Sequence, residues 1–225
     1  MTTRSPAICS LALSSEPGIT EVVRESERRV GILVFDGVEV LDFAGPFEVF
    51  SVARRGSDHS PDTVSPCPPV LMAPQAGNVC TTGGMNIRVD HSIDSVCGLH
   101  ALVIPGGYGV RALMGNPRLL DWLRASAVES LLMMSVCTGA GVLARAGLLR
   151  GRRVTTHHRY LDWLSELEPD CEVVADQRFV DAGDLITAGG ISAGIDAALH
   201  LLERWEGTAV AEETARYMEY RRQPV

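Results

Sequence analysis

The chain has 225 residues and a formal net charge of −8. That length is enough for one large domain with a full hydrophobic core. An acidic balance without a basic stripe argues against binding of a nucleic-acid backbone, which requires clustered cations. All 20 basic residues are arginine, and the lack of lysine excludes Schiff-base chemistry, a pyridoxal-phosphate anchor and a P-loop. No apolar run reaches the roughly 18 residues of a membrane helix, so we expect a cytoplasmic protein without a membrane partner.

The spacing of cysteine and histidine predicts neither a metal site nor a disulfide framework. Six cysteines stand at positions 9, 67, 80, 97, 137 and 171, with no Cys-x-x-Cys pair, and no His-Glu-x-x-His sequence occurs. A chain of this length with a good core does not need a disulfide scaffold. We therefore expect no metal and no cofactor, and we expect five of the cysteines to act as small buried hydrophobic residues.

The predicted elements begin after an N-terminal segment without clear periodicity. Residues 1–28 are rich in Ser, Thr, Pro and Glu and predict a flexible arm, followed by a single domain over residues 29–222. The compact apolar run at 30–35 predicts a buried parallel strand. Apolar spacing over 42–54 predicts a helix, and residues 55–68 predict a surface loop.

Further along the chain, apolar runs and amphipathic segments alternate. The predicted strands cover residues 70–73, 83–89, 100–104, 131–136, 153–155, 172–180 and 185–187. The predicted helices cover residues 117–128, 138–146, 191–205 and 208–220. This alternation indicates an α/β fold, a single-domain flavodoxin-like sandwich in which helices cover both faces of a mainly parallel sheet.

The strongest chemical signal is the segment Ser135-Val-Cys-Thr-Gly-Ala140, which follows a buried strand and opens a helix. It has the form of a nucleophile elbow, with Cys137 in the place of serine. The free N–H groups and the positive dipole end of the helix would favour a thiolate. A buried cysteine that only packs at a turn is the alternative, but the position after the strand favours a nucleophile.

Two glycines could supply an anion-binding site beside this cysteine. Gly106 and Gly107 follow the predicted strand that precedes the Cys137 strand in the chain. Adjacent glycines allow the backbone to turn and to point N–H groups inward. Together with the N–H of Thr138 they could form an oxyanion hole, although such a pair is often an ordinary turn.

Two further residues could act on the thiol. His157 follows the predicted strand at 153–155 and could orient or activate Cys137, or it could be a histidine packed at a strand end. Asp42 could cap the first helix. It could instead be a carboxyl with a raised pKa that moves protons near the thiol. The residues alone leave both pairs of alternatives open.

Five motifs in this order resemble the DJ-1/PfpI superfamily, which has the class I glutamine amidotransferase-like fold. They cover residues 37–46, 104–107, 135–139, 146–157 and 188–196. The pattern is most similar to isonitrile hydratases and to the sensor domains of AraC-type regulators, which carry Asp at the position of Asp42 and the sequence Cys-Thr-Gly at Cys137. The regulators add a helix-turn-helix region that does not follow here, so we expect no DNA binding.

The resemblance implies a mechanism and an assembly. A Cys137 thiolate would attack the carbon of an isonitrile, Asp42 would act as general acid and base, and an N-substituted formamide would leave. Thr138 and Gly107 would position this small-molecule substrate, and the protein would be a homodimer. Glyoxalase-like, deglycase-like or biosynthetic chemistry on the same fold and a non-enzymatic thiol redox sensor are the alternatives. Arg159 stands where a Cys-His-acid triad would place its acid.

Overall fold

The computed structural model describes residues 27–56, 58–60, 62–129 and 131–223. Most of the predicted flexible arm, residues 1–26, lies outside the described residues, so that prediction stays untested. Within the described ranges, no helix combines the length and the apolar character needed to cross a membrane.

Strands and helices alternate along most of the chain. The strands are β1 Val30–Leu33, β2 Pro69–Ala73, β3 Gly77–Cys80, β4 Asn86–Val89, β5 His91–Ser92, β6 Ala101–Ile104, β7 Leu132–Val136, β8 Arg153–Val154, β9 Glu172–Val173, β10 Phe179–Asp181 and β11 Leu185–Ala188. The helices are α1 Val40–Val52, α2 Val110–Met114, α3 Pro117–Val128, α4 Gly139–Arg145, α5 Leu161–Leu167, α6 Ala193–Glu206 and α7 Thr208–Tyr217. A 3₁₀ turn at His158–Tyr160 precedes α5.

Seven strands form the main sheet in the order β10-β11-β7-β6-β1-β2-β5. All neighbouring pairs are parallel except β10 and β11, which are antiparallel at one edge. Two small two-stranded sheets, the β3–β4 hairpin and the β8–β9 pair, lie outside it. The predicted mainly parallel sheet is therefore confirmed.

Helices cover both faces of this sheet. Every residue of the four adjacent strands β11, β7, β6 and β1 is buried, which requires a packed layer on each side. Helices α1, α6 and α7 pack against one another, and a second group, α2, α3 and α5, packs around α4. The predicted flavodoxin-like α/β sandwich is confirmed.

Some predicted boundaries are wrong for identifiable reasons. The helix predicted from residue 191 begins at Ala193, because Ile191 adopts a left-handed φ of 56°. The strand predicted over 172–180 is interrupted by Asp176, which has a φ of 57°, and becomes β9 and β10. Helices α2 and α5 have five and seven residues, too short for the helical period to stand out in the sequence.

The topology brings three loops and the start of a helix to one edge of the sheet. In a parallel sheet all carboxyl ends lie on the same side, and binding sites of open α/β sheets lie in the crevice there. The loop after β6 carries Gly106, the turn after β7 carries Cys137, and the loop after β11 carries residues 189–192. Helix α1, which follows β1, brings Asp42 to the same edge.

Candidate active site

Cys137 occupies the tight turn between β7 and α4 and has a φ of 57°. A residue other than glycine in this region stores about 1–3 kcal/mol of strain, so the surroundings must hold it in place. Its N–H group donates to the carbonyl oxygens of Ala188 at 3.1 Å and Gly189 at 2.6 Å. The Thr156 hydroxyl donates to its carbonyl oxygen at 2.6 Å. This strained and braced turn is the predicted nucleophile elbow.

Asp42 is fully buried in the first turn of α1. Its Oδ2 accepts the N–H of Gly106 at 3.0 Å, and its Oδ1 accepts the N–H of Ile191 at 3.1 Å. The interpretation of Asp42 as a helix cap is wrong, because Glu39 occupies the cap position. The carboxyl is held instead by backbone amides of two other loops, which places it beside Cys137.

The Asp42 carboxyl and the Cys137 thiol are electrostatically coupled. Burial raises the pKa of Asp42 to about 7, against the lowering effect of the two amide donors. Burial and the adjacent carboxylate raise the pKa of Cys137 to about 12. We expected the helix start to give a low-pKa thiolate. That expectation is wrong, because desolvation of the buried Cys137 thiol raises its pKa more than the nearby donors lower it. At neutral pH the pair carries at most one negative charge, and the protons belong to the pair.

Thr138 directs two donors at the sulfur of Cys137. Its N–H and its hydroxyl both lower the pKa of the thiol, although less than burial raises it. The hydroxyl oxygen accepts the N–H of Gly107 at 3.1 Å. Gly107 thus holds the Thr138 hydroxyl beside Cys137, where Thr138 favours negative charge on sulfur.

Gly106 and Gly107 serve the site differently from the predicted oxyanion hole. The N–H of Gly106 is bonded to Asp42 and the N–H of Gly107 to Thr138, so neither is open to an incoming anion in this arrangement. A Cβ at Gly106 would lie 2.7 Å from the Thr138 hydroxyl and 2.9 Å from Asp42 Oδ2. Gly107 has a φ of 128°, and a Cβ there would lie 2.2 Å from the carbonyl oxygen of Gly37. Both glycines permit the close approach that fixes Asp42 and Thr138.

His157 lies at the half-buried rim and not on the thiol. Its ring packs against Gly190, where a Cβ would lie 2.0 Å from the ring Cδ2. Its Nδ1 accepts the N–H of Arg159 at 3.2 Å, and burial lowers its pKa. No hydrogen bond joins His157 to Cys137 in the part of the chain that the structure describes. The structure therefore brings Cys137, Asp42, Thr138, Gly106 and Gly107 together and leaves His157 outside this cluster.

Ile191 is a site residue that sequence reasoning missed. Its left-handed φ of 56° aims its N–H at Asp42. A β-branched residue rarely adopts this conformation, so its occurrence at an active site is informative. The preceding Gly189 and Gly190 signal a break in the chain, but helical apolar spacing placed Ile191 in the helix that follows.

Two cavities border the sheet at opposite ends. A cavity of about 190 Å³ is lined by residues that include Thr156, Arg178, Gly189 and Gly190, and so it adjoins the backbone around Cys137. A larger cavity of about 390 Å³ is lined by residues at the amino ends of strands, such as His100. Only the smaller one lies near the candidate chemistry. Among the described residues, no group of three or more His, Cys, Asp or Glu side chains could hold a metal ion.

Comparison with known proteins agrees with this fold. An isonitrile hydratase of Pseudomonas putida is 33% identical over 192 residues, which are 85% of this chain and 78% of that protein. The HTH-type transcriptional regulator CdhR of Pseudomonas aeruginosa is 30% identical over 146 residues, which are 64% of this chain and only 43% of the regulator. The crystal structure of a ThiJ/PfpI family protein from Pseudomonas syringae has a TM-score of 0.75 at 24% identity and covers 95% of this chain and 84% of that one.

A family-wide comparison includes the whole site. The model of the DJ-1/PfpI family matches residues 28–204. That range contains the entire seven-stranded sheet and every residue described around Cys137. The chain therefore belongs to the DJ-1/PfpI family.

Proposed function

We propose that this protein is a cysteine-dependent enzyme that hydrates an isonitrile to an N-substituted formamide. The observation that carries the proposal is the position of the buried Asp42 carboxyl, which two backbone amides hold beside the Cys137 thiol and whose pKa burial raises to about 7. A general acid and base works best when its pKa lies near the operating pH. The similarity to the isonitrile hydratase of Pseudomonas putida supports the choice of substrate.

The first step would add the thiol across the terminal carbon of the isonitrile. Ionised Asp42 takes the proton of Cys137, while the N–H and hydroxyl of Thr138 stabilise the thiolate. The sulfur forms a bond to the isonitrile carbon, and Asp42 returns the proton to that same carbon. The product is a thioimidate, with an N=CH–S linkage, and Asp42 is ionised again. A buried pair that shares one mobile proton suits an addition in which nucleophile and proton reach one atom.

The second step would hydrolyse the thioimidate. Asp42 accepts a proton from a water molecule as the water oxygen bonds to the carbon. The proton then passes to the substrate nitrogen, and the tetrahedral intermediate expels the Cys137 sulfur. As the sulfur leaves, the hydroxyl of the intermediate gives its proton to Asp42, which returns it to the Cys137 thiolate, and the formamide leaves. The sum is one isonitrile and one water converted to one N-substituted formamide.

The thiol sensor hypothesis has less support from the geometry. Redox-sensing cysteines are accessible and ionise readily. Cys137 is only 7% exposed, and burial raises its pKa to about 12. Conversion of a 2-oxoaldehyde uses the same nucleophile and stays the competing enzymatic hypothesis, which substrate tests must separate.

A two-substrate assay tests the proposal. Purified protein is given an aryl isonitrile or methylglyoxal, and formamide and lactate are quantified. We expect formamide from the wild type and from Cys97→Ser, which alters an exposed cysteine, and none from Cys137→Ser. We expect Asp42→Asn to lose at least 100-fold, on the order of a removed general acid–base group. Lactate without formamide would establish the 2-oxoaldehyde alternative, and rapid oxidation of Cys137 without any turnover would establish the sensor.

A further inference from the structure

Two contacts that shape the site come from one short segment, residues 189–192, between β11 and α6. The carbonyl oxygen of Gly189 accepts the N–H of Cys137 at 2.6 Å. The N–H of Ile191 donates to Asp42 at 3.1 Å. The position of this segment therefore fixes the nucleophile and the acid together.

Arg178 holds this segment at both ends. Its carbonyl oxygen accepts the N–H of Gly189 at 2.9 Å. Its guanidinium nitrogens Nη1 and Nη2 each donate to the hydroxyl of Ser192 at 3.2 Å. Gly189 and Ser192 are the first and last residues of the segment, so one arginine spans it from strand to helix.

A buried carboxylate fixes the guanidinium itself. Asp196, in the first turn of α6, is 2% exposed and accepts Arg178 Nε at 2.8 Å and also Nη2. The Tyr220 hydroxyl donates to Asp196 at 3.1 Å and accepts Arg178 Nη2 at 3.4 Å. The N–H of Gln223 also donates to Asp196, at 3.2 Å. Separating this pair would leave the buried Asp196 carboxylate without its compensating charge, so the guanidinium is firmly anchored.

We propose that Arg178 is a positioning residue, which holds segment 189–192 so that Gly189 stays bonded to Cys137 and Ile191 to Asp42. The left-handed backbone of Ile191 explains why such an anchor is needed, because an unbraced isoleucine would relax to negative φ. The inference rests on the proposed function only in treating Cys137 and Asp42 as the reacting pair. The guanidinium touches neither of these side chains and acts through the backbone.

The protonation of the pair reports on this role. The groups that act on Asp42 are the thiol of Cys137, the charge of Glu39 on the same helix and the amides of Gly106 and Ile191. Of these, the Ile191 amide belongs to segment 189–192 and donates directly to Asp42. Loosening the segment would remove the Ile191 N–H, a donor that lowers the pKa of Asp42. The Cys137–Asp42 pair should then lose its first proton at a higher pH.

The test is the pH dependence of Cys137 alkylation by iodoacetamide, followed by mass spectrometry of the Cys137 peptide. Ser192→Ala removes the acceptor of two Arg178 hydrogen bonds and leaves the Arg178–Asp196 pair intact. Arg178→Lys keeps the charge but cannot span Ser192 and Asp196 with one planar group. Ser165→Ala is the matched control, because it also removes a serine hydroxyl, but an exposed one that bonds within its own helix α5. The wild-type rate should rise in a first step near pH 7, where the pair loses one proton and a small fraction of it holds the thiolate, and again toward the pKa of Cys137 at about 12.

We expect the midpoint to rise by roughly 0.5 to 1 pH unit in Ser192→Ala and Arg178→Lys, the size of a weakened hydrogen bond to a charged group. We expect Ser165→Ala to match the wild type. Unchanged midpoints in the folded Ser192 variant would overturn the proposal. An equal shift in Ser165→Ala would also overturn it, because loss of any serine hydroxyl would then explain the effect. Alkylation requires no turnover, so absence of isonitrile hydration would count against the proposed function alone.

Discussion

Replacing Asp42 with asparagine should make the protein more stable at alkaline pH while it removes activity. The pKa of Asp42 is raised from 3.8 to about 7 in the folded state, chiefly by burial. The folded protein therefore binds this proton more tightly than the unfolded chain does, and stability falls as pH rises between those two values. Over that interval the free energy of unfolding of the wild type falls by about 4 kcal/mol, at about 1.4 kcal/mol per pH unit. Asparagine has no such proton, so the variant should escape this loss.

The asparagine amide brings a cost of its own. It presents one NH₂ group where Asp42 accepts an amide N–H on each oxygen. One of those donors then loses its acceptor, at about 1–3 kcal/mol. That cost does not depend on pH, so the pH dependence of the stability difference isolates the ionisation of Asp42.

Urea unfolding at pH 5 and pH 8 measures this difference. The stability of Asp42→Asn relative to wild type should rise by roughly 3 kcal/mol from the lower to the higher pH, since about two pH units of the interval lie between them. Asp162→Asn, which alters an exposed carboxyl in the first turn of α5, serves as the control and should show little change. A stability difference for Asp42→Asn that is equal at both pH values would refute the raised pKa and with it the proposed proton carrier.

Other predictions concern the same site and its supports. Isonitrile hydration should rise with a midpoint near pH 7 as Asp42 ionises, and a rate that is flat from pH 5 to 9 would contradict the role of the pair. Gly106→Ala should reduce kcat at least tenfold, because its Cβ would lie 2.7 Å from Thr138 and 2.9 Å from Asp42; unchanged kinetics would count against the observed loop geometry. Gly141→Ala would place a Cβ 2.1 Å from the Trp163 ring, so we expect a loss of about 1–3 kcal/mol in urea unfolding and altered tryptophan fluorescence. The homodimer expected from the family resemblance stays a prediction, and sedimentation equilibrium would decide it.

The sequence by itself determined the layered α/β fold and the position of Cys137. Buried strands appear as continuous apolar runs, and the residues 135–140 carry a turn that follows one of them. Both signals are local, because they depend on residues that are neighbours in the chain. For the same reason the helix at Pro117–Val128 was predicted with its observed bounds.

Only the tertiary structure decided which groups act on Cys137. The two amides that hold Asp42 are 64 and 149 residues away in the chain, so no spacing rule could pair them. His157 is 20 positions from Cys137 and looked as suitable as Asp42, yet its ring packs on Gly190. The pKa values of Asp42 and Cys137 depend mainly on burial, which several distant segments create together. Residues next to Cys137 in the chain determine the turn that carries the nucleophile. Desolvation and long-range backbone contacts determine the pKa values of the nucleophile and its acid.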